Sequence, residues 1–105
     1  MVRGEVFRFR APRGTRGAEQ RGERLAVIVQ TDELLALSTV LVSPTSAAAP
    51  ARSFRPVIDV KGTRTHVLVE QTKAVTLDRL GESLGRLSAP ELNELDAALA
   101  LVFGL

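Results

Sequence analysis

The sequence has 105 residues, of which 45% are hydrophobic and 25% charged, as is typical of one ordinary globular domain spanning residues 1–105. With no cysteine and one histidine, it excludes disulfides, thiolate metal sites, a cysteine nucleophile and a histidine-rich metal centre. No apolar run approaches the roughly 20 residues of a transmembrane helix, and no signal segment opens the chain, so a cytoplasmic protein without membrane contact is predicted.

Charge is distributed unevenly along the chain, although the net charge is only +2. Residues 1–24 contain seven arginines and three glutamates, a net charge of +4. Residues 74–105 contain two basic and five acidic groups, a net charge of −3. Positive charge at one end raises the local potential for a polyanion such as a nucleic acid, although the arginines could also simply solubilise the surface.

The first half of the chain predicts three strands and one long loop. Residues 5–10 alternate between apolar and basic positions, which indicates a half-buried strand with an outer row of arginines. Glycine and proline are dense in residues 11–23, which predicts a loop. Residues 24–30 form an aliphatic run typical of a strand buried on both faces. A third strand is predicted at residues 38–42 and is expected to leave the sheet at Pro44.

The second half predicts shorter strands and one helix. The strands are predicted at residues 53–60, at residues 67–71 with a start near Thr65, and at residues 80–87. A turn at residues 61–62 and one helical turn at residues 76–79 separate them. Ser88 and Glu91 have the spacing of a capping box, and Gly104 is a plausible helix stop. Five or six strands and one C-terminal helix predict a mainly β fold, a small barrel with the helix packed on it.

Enzyme motifs built on a phosphate-binding glycine loop, a nucleophile elbow or a zinc-binding helix are absent from the sequence. His66 stands alone, and its more common interpretation is a structural or surface residue. The remaining polar groups lie at predicted strand ends, and they are Arg24, Thr45, Ser46, Gln71 and Lys73. Because loops and strand ends commonly carry binding sites, this set favours an anion site over proton relay by histidine or glutamate.

Six segments in chain order carry a resemblance to a known family. They are RGEVF at 3–7, GAEQ at 17–20 with Arg24, AVIVQ at 26–30, VSPTS at 42–46, VEQTK at 69–73 and GRLS at 85–88. Together they resemble the MazF/PemK toxins of toxin–antitoxin pairs over almost the whole length of the chain.

The resemblance implies a fold, an activity and partners. The implied fold is the SH3-like barrel that MazF toxins share with CcdB toxins, assembled as a homodimer. The implied activity is that of an mRNA interferase, a sequence-selective endoribonuclease that cleaves single-stranded mRNA without metal or cofactor. The implied products are a 2′,3′-cyclic phosphate and a 5′-hydroxyl. The implied protein partner is a MazE-like antitoxin.

The resemblance also implies roles for individual residues. Arg24 and Thr45 stand where the family has its catalytic arginine and its catalytic threonine or serine. Since an arginine side chain stays protonated in proteins, Arg24 is expected to stabilise charge rather than accept a proton. Further substrate-binding residues are expected at Arg13, Arg16, Glu19, Gln20, Arg21, Ser46, Gln71 and Lys73. The sequence departs from the family pattern at Leu25, where a proline usually follows the arginine.

Two other function classes stay open at this point. A CcdB-like toxin would bind DNA gyrase and perform no chemistry of its own, so it would be insensitive to Arg24. An inactive SH3-like interaction module would not inhibit growth when it is expressed. Growth inhibition on expression, with damage to RNA or to DNA, would separate the three hypotheses. For Gln71 and Lys73, a second interpretation also stays open, in which they are ordinary solvent-exposed residues at the end of a strand.

Overall fold

A computed structural model describes residues 1–10, 24–34 and 36–105 of the chain. Within these residues, seven strands precede one helix. The strands are β1 (Glu5–Phe9), β2 (Arg24–Ile28), β3 (Thr39–Ser46), β4 (Val57–Val60), β5 (Thr63–Val67), β6 (Lys73–Thr76) and β7 (Leu80–Arg86). The helix is α1 (Ala89–Phe103). The predicted mainly β fold with a C-terminal helix is confirmed.

The strands form one antiparallel sheet in the order β4-β5-β3-β2-β1-β7, with β6 also paired to β3. The long strand β3 organises this arrangement. One of its edges pairs with β2, while the other pairs first with β6 and then, at Thr45 and Ser46, with β5. Because β3 changes partner along its length, the sheet curls, and the end of β3 is brought against both β2 and β5.

Pro44 lies inside β3, so the prediction that the chain leaves the sheet at this proline is wrong. Pro44 is opposite Ala26 of β2, and its carbonyl accepts a hydrogen bond from the Leu68 N–H at 2.8 Å. The backbone nitrogen and carbonyl of one strand residue point to the same edge of the strand. The Pro44 nitrogen, which carries no hydrogen, therefore faces the point where the neighbour of β3 changes from β6 to β5. Proline is tolerated there because no ladder hydrogen bond from its nitrogen is required.

Two apolar clusters lie on the two faces of the sheet. The first contains Val27 of β2 and is closed by Leu95 and Ala98 of the helix. The second contains Ala26 and Ile28, the alternate positions of β2. The prediction that β2 is buried on both faces is therefore confirmed.

The region after β3 differs from the sequence prediction in several boundaries. The strand predicted at residues 53–60 is confined to β4, and the one predicted at 67–71 ends at Val67 and is followed by a 3₁₀ turn at Val69–Gln71. The sequence analysis missed β6 entirely. The turn at Lys61 and Gly62 is confirmed, and both residues have positive φ, as a tight two-residue hairpin requires.

The helix begins and ends as predicted. The Ser88 side chain accepts a hydrogen bond from the Glu91 N–H, and the Glu91 carboxylate accepts one from the Ser88 N–H. Gly104 ends the helix in the left-handed conformation, at φ 73°. Glu91 also accepts a hydrogen bond from the Asp59 N–H at 2.8 Å, which fixes the helix to β4. No helix in the described ranges is long and apolar enough to cross a bilayer.

Candidate active site

One cavity of about 530 Å³ opens where the ends of β2, β3 and the β4–β5 hairpin meet. Cationic, hydroxyl and small apolar side chains share its lining. The lining residues are Arg8, Arg24, Leu25, Thr45, Ser46, Ala47, Ala48, Val60, Lys61, Thr63, Thr65 and Leu84. The fold therefore brings Arg24, Thr45 and Ser46, which were predicted to belong to one site, to the same cavity.

Arg24 reaches the cavity as the first residue of β2. It is half-buried, and its backbone pairs opposite Phe9 of β1, so the strand ladder fixes where the side chain starts. Leu25 follows and also lines the cavity, where the family pattern has proline. It packs against the first apolar cluster, so the leucine at this position contributes to the core as well as to the cavity wall.

Thr45 reaches the cavity from the next-to-last position of β3. It is buried, with 5% of its surface exposed, and it pairs opposite Val67 of β5. Its hydroxyl makes no hydrogen bond within the described part of the chain. A threonine hydroxyl can both donate and accept a hydrogen bond, so this group is available to a ligand in the cavity.

The cavity is electropositive over its described lining. Arg8, Arg24 and Lys61 are cationic, and no described lining residue is acidic. Arg8 contacts Glu82 outside the cavity, with 3.0 Å between Arg8 Nε and Glu82 Oε1. An anionic ligand is therefore favoured, and low-dielectric walls strengthen that preference.

Sequence reasoning missed several lining residues. Arg8 was expected on the face of β1 opposite Phe7 and Phe9, and it lies there, with 39% of its side chain exposed. Its place in the cavity lining was not predicted. Strict alternation with Val6 was the signal that could have found it. Lys61, Thr63 and Thr65 gave no local signal, because they reach the cavity only when the hairpin folds against the end of β3.

Gln71 and Lys73 lie outside the cavity lining. Gln71 is exposed at the end of the Val69–Gln71 turn. Lys73 begins β6, and its Nζ is 5.2 Å from the centre of the Phe9 ring. The Arg79 guanidinium lies 4.3 Å from the same ring. We refer to Phe9, Lys73 and Arg79 as the Phe9 cluster.

The Phe9 cluster crowds positive charge. Burial, followed by the charges of Arg79 and Arg24, lowers the pKa of the Lys73 amine. Arg79 Nε donates to the Arg10 carbonyl at 2.9 Å, whereas Arg79 Nη2 is buried without a hydrogen-bond partner among the described residues. Arg24 is thus near two different regions, the cavity and the Phe9 cluster.

The remaining predicted substrate-binding residues cannot be placed in this geometry. Arg13, Arg16, Glu19, Gln20 and Arg21 all lie outside the described residues. In the ranges that the structure describes, no group of three or more His, Cys, Asp or Glu side chains is arranged to hold a metal ion.

Comparisons with known proteins agree with this fold. The family model of the PemK-like, MazF-like toxins of type II toxin–antitoxin systems matches residues 2–103. The chain is 34% identical to the Mycobacterium tuberculosis toxin candidate Rv3098A over 106 residues, covering 100% of this chain and 99% of that protein. It is 33% identical to Endoribonuclease MazF9 of the same organism over 112 residues, covering 96% and 94%.

A solved structure supports the fold independently. It is an endoribonuclease in complex with its cognate antitoxin from a mycobacterial species. The chain superposes on it with a TM-score of 0.80, covering 100% of this chain and 96% of that one. At 20% identity this likeness concerns the fold.

Proposed function

Because the chain belongs to the PemK-like, MazF-like toxins of type II toxin–antitoxin systems, we propose that it is an endoribonuclease that cleaves single-stranded mRNA at short sequences. The observation that carries the proposal is the meeting of Arg24 and Thr45, from two different strands, in one electropositive cavity. Such a cavity suits a phosphodiester, and the assigned chemistry uses neither metal nor cofactor.

The proposed reaction is an internal transfer within the RNA. The ribose 2′-hydroxyl gives up its proton as its oxygen attacks the adjacent phosphorus. The bond from phosphorus to the 5′-oxygen breaks, and the leaving oxygen takes up a proton, so no net proton is consumed. The products are a 2′,3′-cyclic phosphate and a 5′-hydroxyl. Negative charge grows on the phosphoryl oxygens during the attack, and the Arg24 guanidinium can donate two parallel hydrogen bonds to them.

Thr45 is assigned to hold the scissile phosphate. The pairing of β3 with β5 fixes its backbone, and its hydroxyl has no described partner to give up when the substrate enters. A donor that is already positioned requires little reorganisation at the moment of reaction, which is where its contribution to rate arises. Ser46, Gln71 and Lys73 are proposed to bind the RNA on either side of the scissile bond.

The remaining parts of the proposal concern assembly and location. We propose that residues 1–105 form one toxin domain, supported by the match over residues 2–103, and that it acts in the cytoplasm, where mRNA is translated. A homodimer and a MazE-like antitoxin are the proposed partners. The relative solved with its cognate antitoxin supports the second.

RNA cleavage in EDTA by the wild type, Arg24→Ala and Thr45→Ala tests the proposal. We expect both substitutions to lower the cleavage rate by about 10²–10³, the usual cost of removing a donor to a developing charge. Arg64→Ala is the matched control, because Arg64 is an exposed arginine of β5 outside the cavity lining. The 3′ ends of the products should carry a cyclic phosphate.

Two outcomes would contradict the proposal. Undiminished cleavage by either alanine variant would remove the role assigned to that residue. Growth inhibition with intact RNA and damaged DNA would instead favour the CcdB-like hypothesis, in which the chain binds gyrase and Arg24 has no role.

A further inference from the structure

Four polar residues are buried among the described residues, and they divide into two pairs. They are Gln30, Ser43, Thr45 and Thr65, with 8%, 0%, 5% and 5% of their surfaces exposed. Buried polar groups in proteins are nearly always hydrogen-bonded, so each of the four should have an identifiable partner.

Gln30 and Ser43 have their partners inside the protein. Gln30 Nε2 donates to the Leu34 carbonyl at 2.6 Å, and Gln30 Oε1 accepts from the Leu41 N–H at 3.0 Å. Ser43 Oγ lies 2.7 Å from Thr72 Oγ1. These two residues are therefore explained by the fold alone.

Thr45 and Thr65 have no side-chain hydrogen bond within the described part of the chain, and both line the cavity. Neither hydroxyl oxygen is one of the buried side-chain atoms without a partner, so both hydroxyls face the open cavity, where a ligand can form the hydrogen bond that the protein does not supply. Thr45 already has a proposed role at the scissile phosphate. Thr65 has the same unusual environment and no role yet.

The strand register places the two hydroxyl-bearing residues side by side. Thr45 is directly opposite Val67 of β5, and Thr65 is two positions earlier on the same strand. Residues two apart on a strand face the same side, so Thr65 is the diagonal neighbour of Thr45, with Cβ atoms roughly 7 Å apart. One nucleotide can contact both hydroxyls at that separation.

We propose that the Thr65 hydroxyl is a second substrate-binding group, which hydrogen-bonds the nucleotide whose phosphate Arg24 and Thr45 hold. Thr65 acts by fixing the position of that nucleotide and takes no part in proton transfer. The cations Arg24 and Lys61 in the same lining favour an anionic ligand, such as an RNA chain, over a neutral molecule. This inference rests on the proposed ribonuclease function.

The test compares Thr65→Val, which removes the hydroxyl and keeps the side-chain shape, with Thr65→Ser, which keeps the hydroxyl. Thr76→Val is the matched control, because Thr76 is an exposed strand threonine whose side chain makes no capping hydrogen bond. We expect Thr65→Val to raise KM about tenfold, the effect of losing one hydrogen bond to substrate. Thr65→Ser should restore most of the affinity, and Thr76→Val should match the wild type.

Thermal unfolding separates this role from a structural one. If Thr65 binds substrate, Thr65→Val leaves the unfolding midpoint unchanged or raises it, because the hydroxyl that is removed has no hydrogen-bond partner in the described part of the protein. A lower midpoint in Thr65→Val, or KM and kcat equal to those of the wild type, would overturn the proposal.

A binding measurement keeps the two proposals apart. An RNA oligonucleotide with 2′-deoxyribose at the scissile position cannot be cleaved but can still bind. If the wild type and Thr65→Val bind it equally well, the inference about Thr65 is wrong while the nuclease function stands. If the wild type cleaves no RNA at all, the proposed function itself fails, whatever Thr65 does.

Discussion

The cavity and the Phe9 cluster lie on either side of Arg24, and they offer a ligand different things. In the cavity, the hydroxyls of Thr45 and Thr65 have no hydrogen-bond partner among the described residues. In the Phe9 cluster, Lys73 and Arg79 share one aromatic ring and have no ion pair to an acid among the described residues. The two cavity hydroxyls therefore lack hydrogen-bond partners, and the two cations of the Phe9 cluster lack a neighbouring negative charge.

This difference indicates how the two regions divide the work of binding RNA. Fixed hydroxyls provide geometry, which matters at the bond that breaks. Crowded cations provide attraction over a longer range, which matters for affinity and is weakened by salt. A strand that passes from the cavity over Arg24 to the Phe9 cluster would satisfy both regions.

Among the substitutions that compare the two regions, Arg24→Lys has the largest expected effect. It keeps the charge and removes the planar fork of donors. If Arg24 belongs to the geometry of the cavity, kcat falls about a hundredfold while RNA affinity changes little. If Arg24 serves only the electropositive field, as the Phe9 cluster does, lysine replaces it with little loss. Single-turnover cleavage and equilibrium binding of the same RNA decide between these outcomes.

A second prediction changes the scaffold that supports both regions. Glu91→Ala removes the carboxylate that accepts hydrogen bonds from the Ser88 and Asp59 N–H groups. We expect the free energy of unfolding to fall by about 1–2 kcal/mol, as for the loss of a helix cap. Glu94→Ala, an exposed residue of the same helix, should leave stability unchanged. Equal midpoints for both variants in urea unfolding would contradict this role.

The pH dependence of stability checks the same contact. Burial tends to raise the pKa of Glu91, but hydrogen bonds from Ser88 and Asp59 outweigh it and leave that pKa below its ordinary value. A carboxylate with a lowered folded pKa stabilises the protein above its unfolded pKa and loses that contribution as pH falls through the folded pKa. Stability of the wild type should therefore drop below about pH 4.5, and Glu91→Ala should show a shallower drop.

The elements that sequence predicted best are those whose signals are local. The helix is specified by Ser88, Glu91 and Gly104 at its two ends, and each acts within a few residues of itself. Arg24 and Thr45 stand out as polar groups at predicted strand ends, and their catalytic roles come from the family motifs in which each lies. What those residues contact could not be derived from the motifs.

The elements that sequence missed depend on distant pairing. Residues 67–71 look like a strand because they begin with Val-Leu-Val. However, β5 ends at Val67, opposite Thr45 and next to Pro44 of β3, and the 3₁₀ turn leads into β6 instead. Pro44 suggested a break because proline cannot donate a hydrogen bond to a strand ladder. Whether a strand tolerates it depends on which strand lies beside its nitrogen, and a local sequence does not show this. Thr65 looked like any strand threonine, since its buried, unpartnered state follows from hairpin packing.

The smallest expected effect tests the Phe9 cluster itself. Lys73→Gln removes one cation from beside Arg79 and Arg24, whose charges lower the Lys73 pKa together with burial. We expect kcat to stay unchanged, KM to rise about threefold at low salt, and the slope of log KM against log salt to fall by about 0.7, the value for one lost phosphate contact on a single strand. Arg64→Gln, an exposed cation outside both regions, is the control and should not change the slope. A fall in kcat would place Lys73 with the chemistry of the cavity, and an unchanged slope would mean that RNA does not reach the Phe9 cluster.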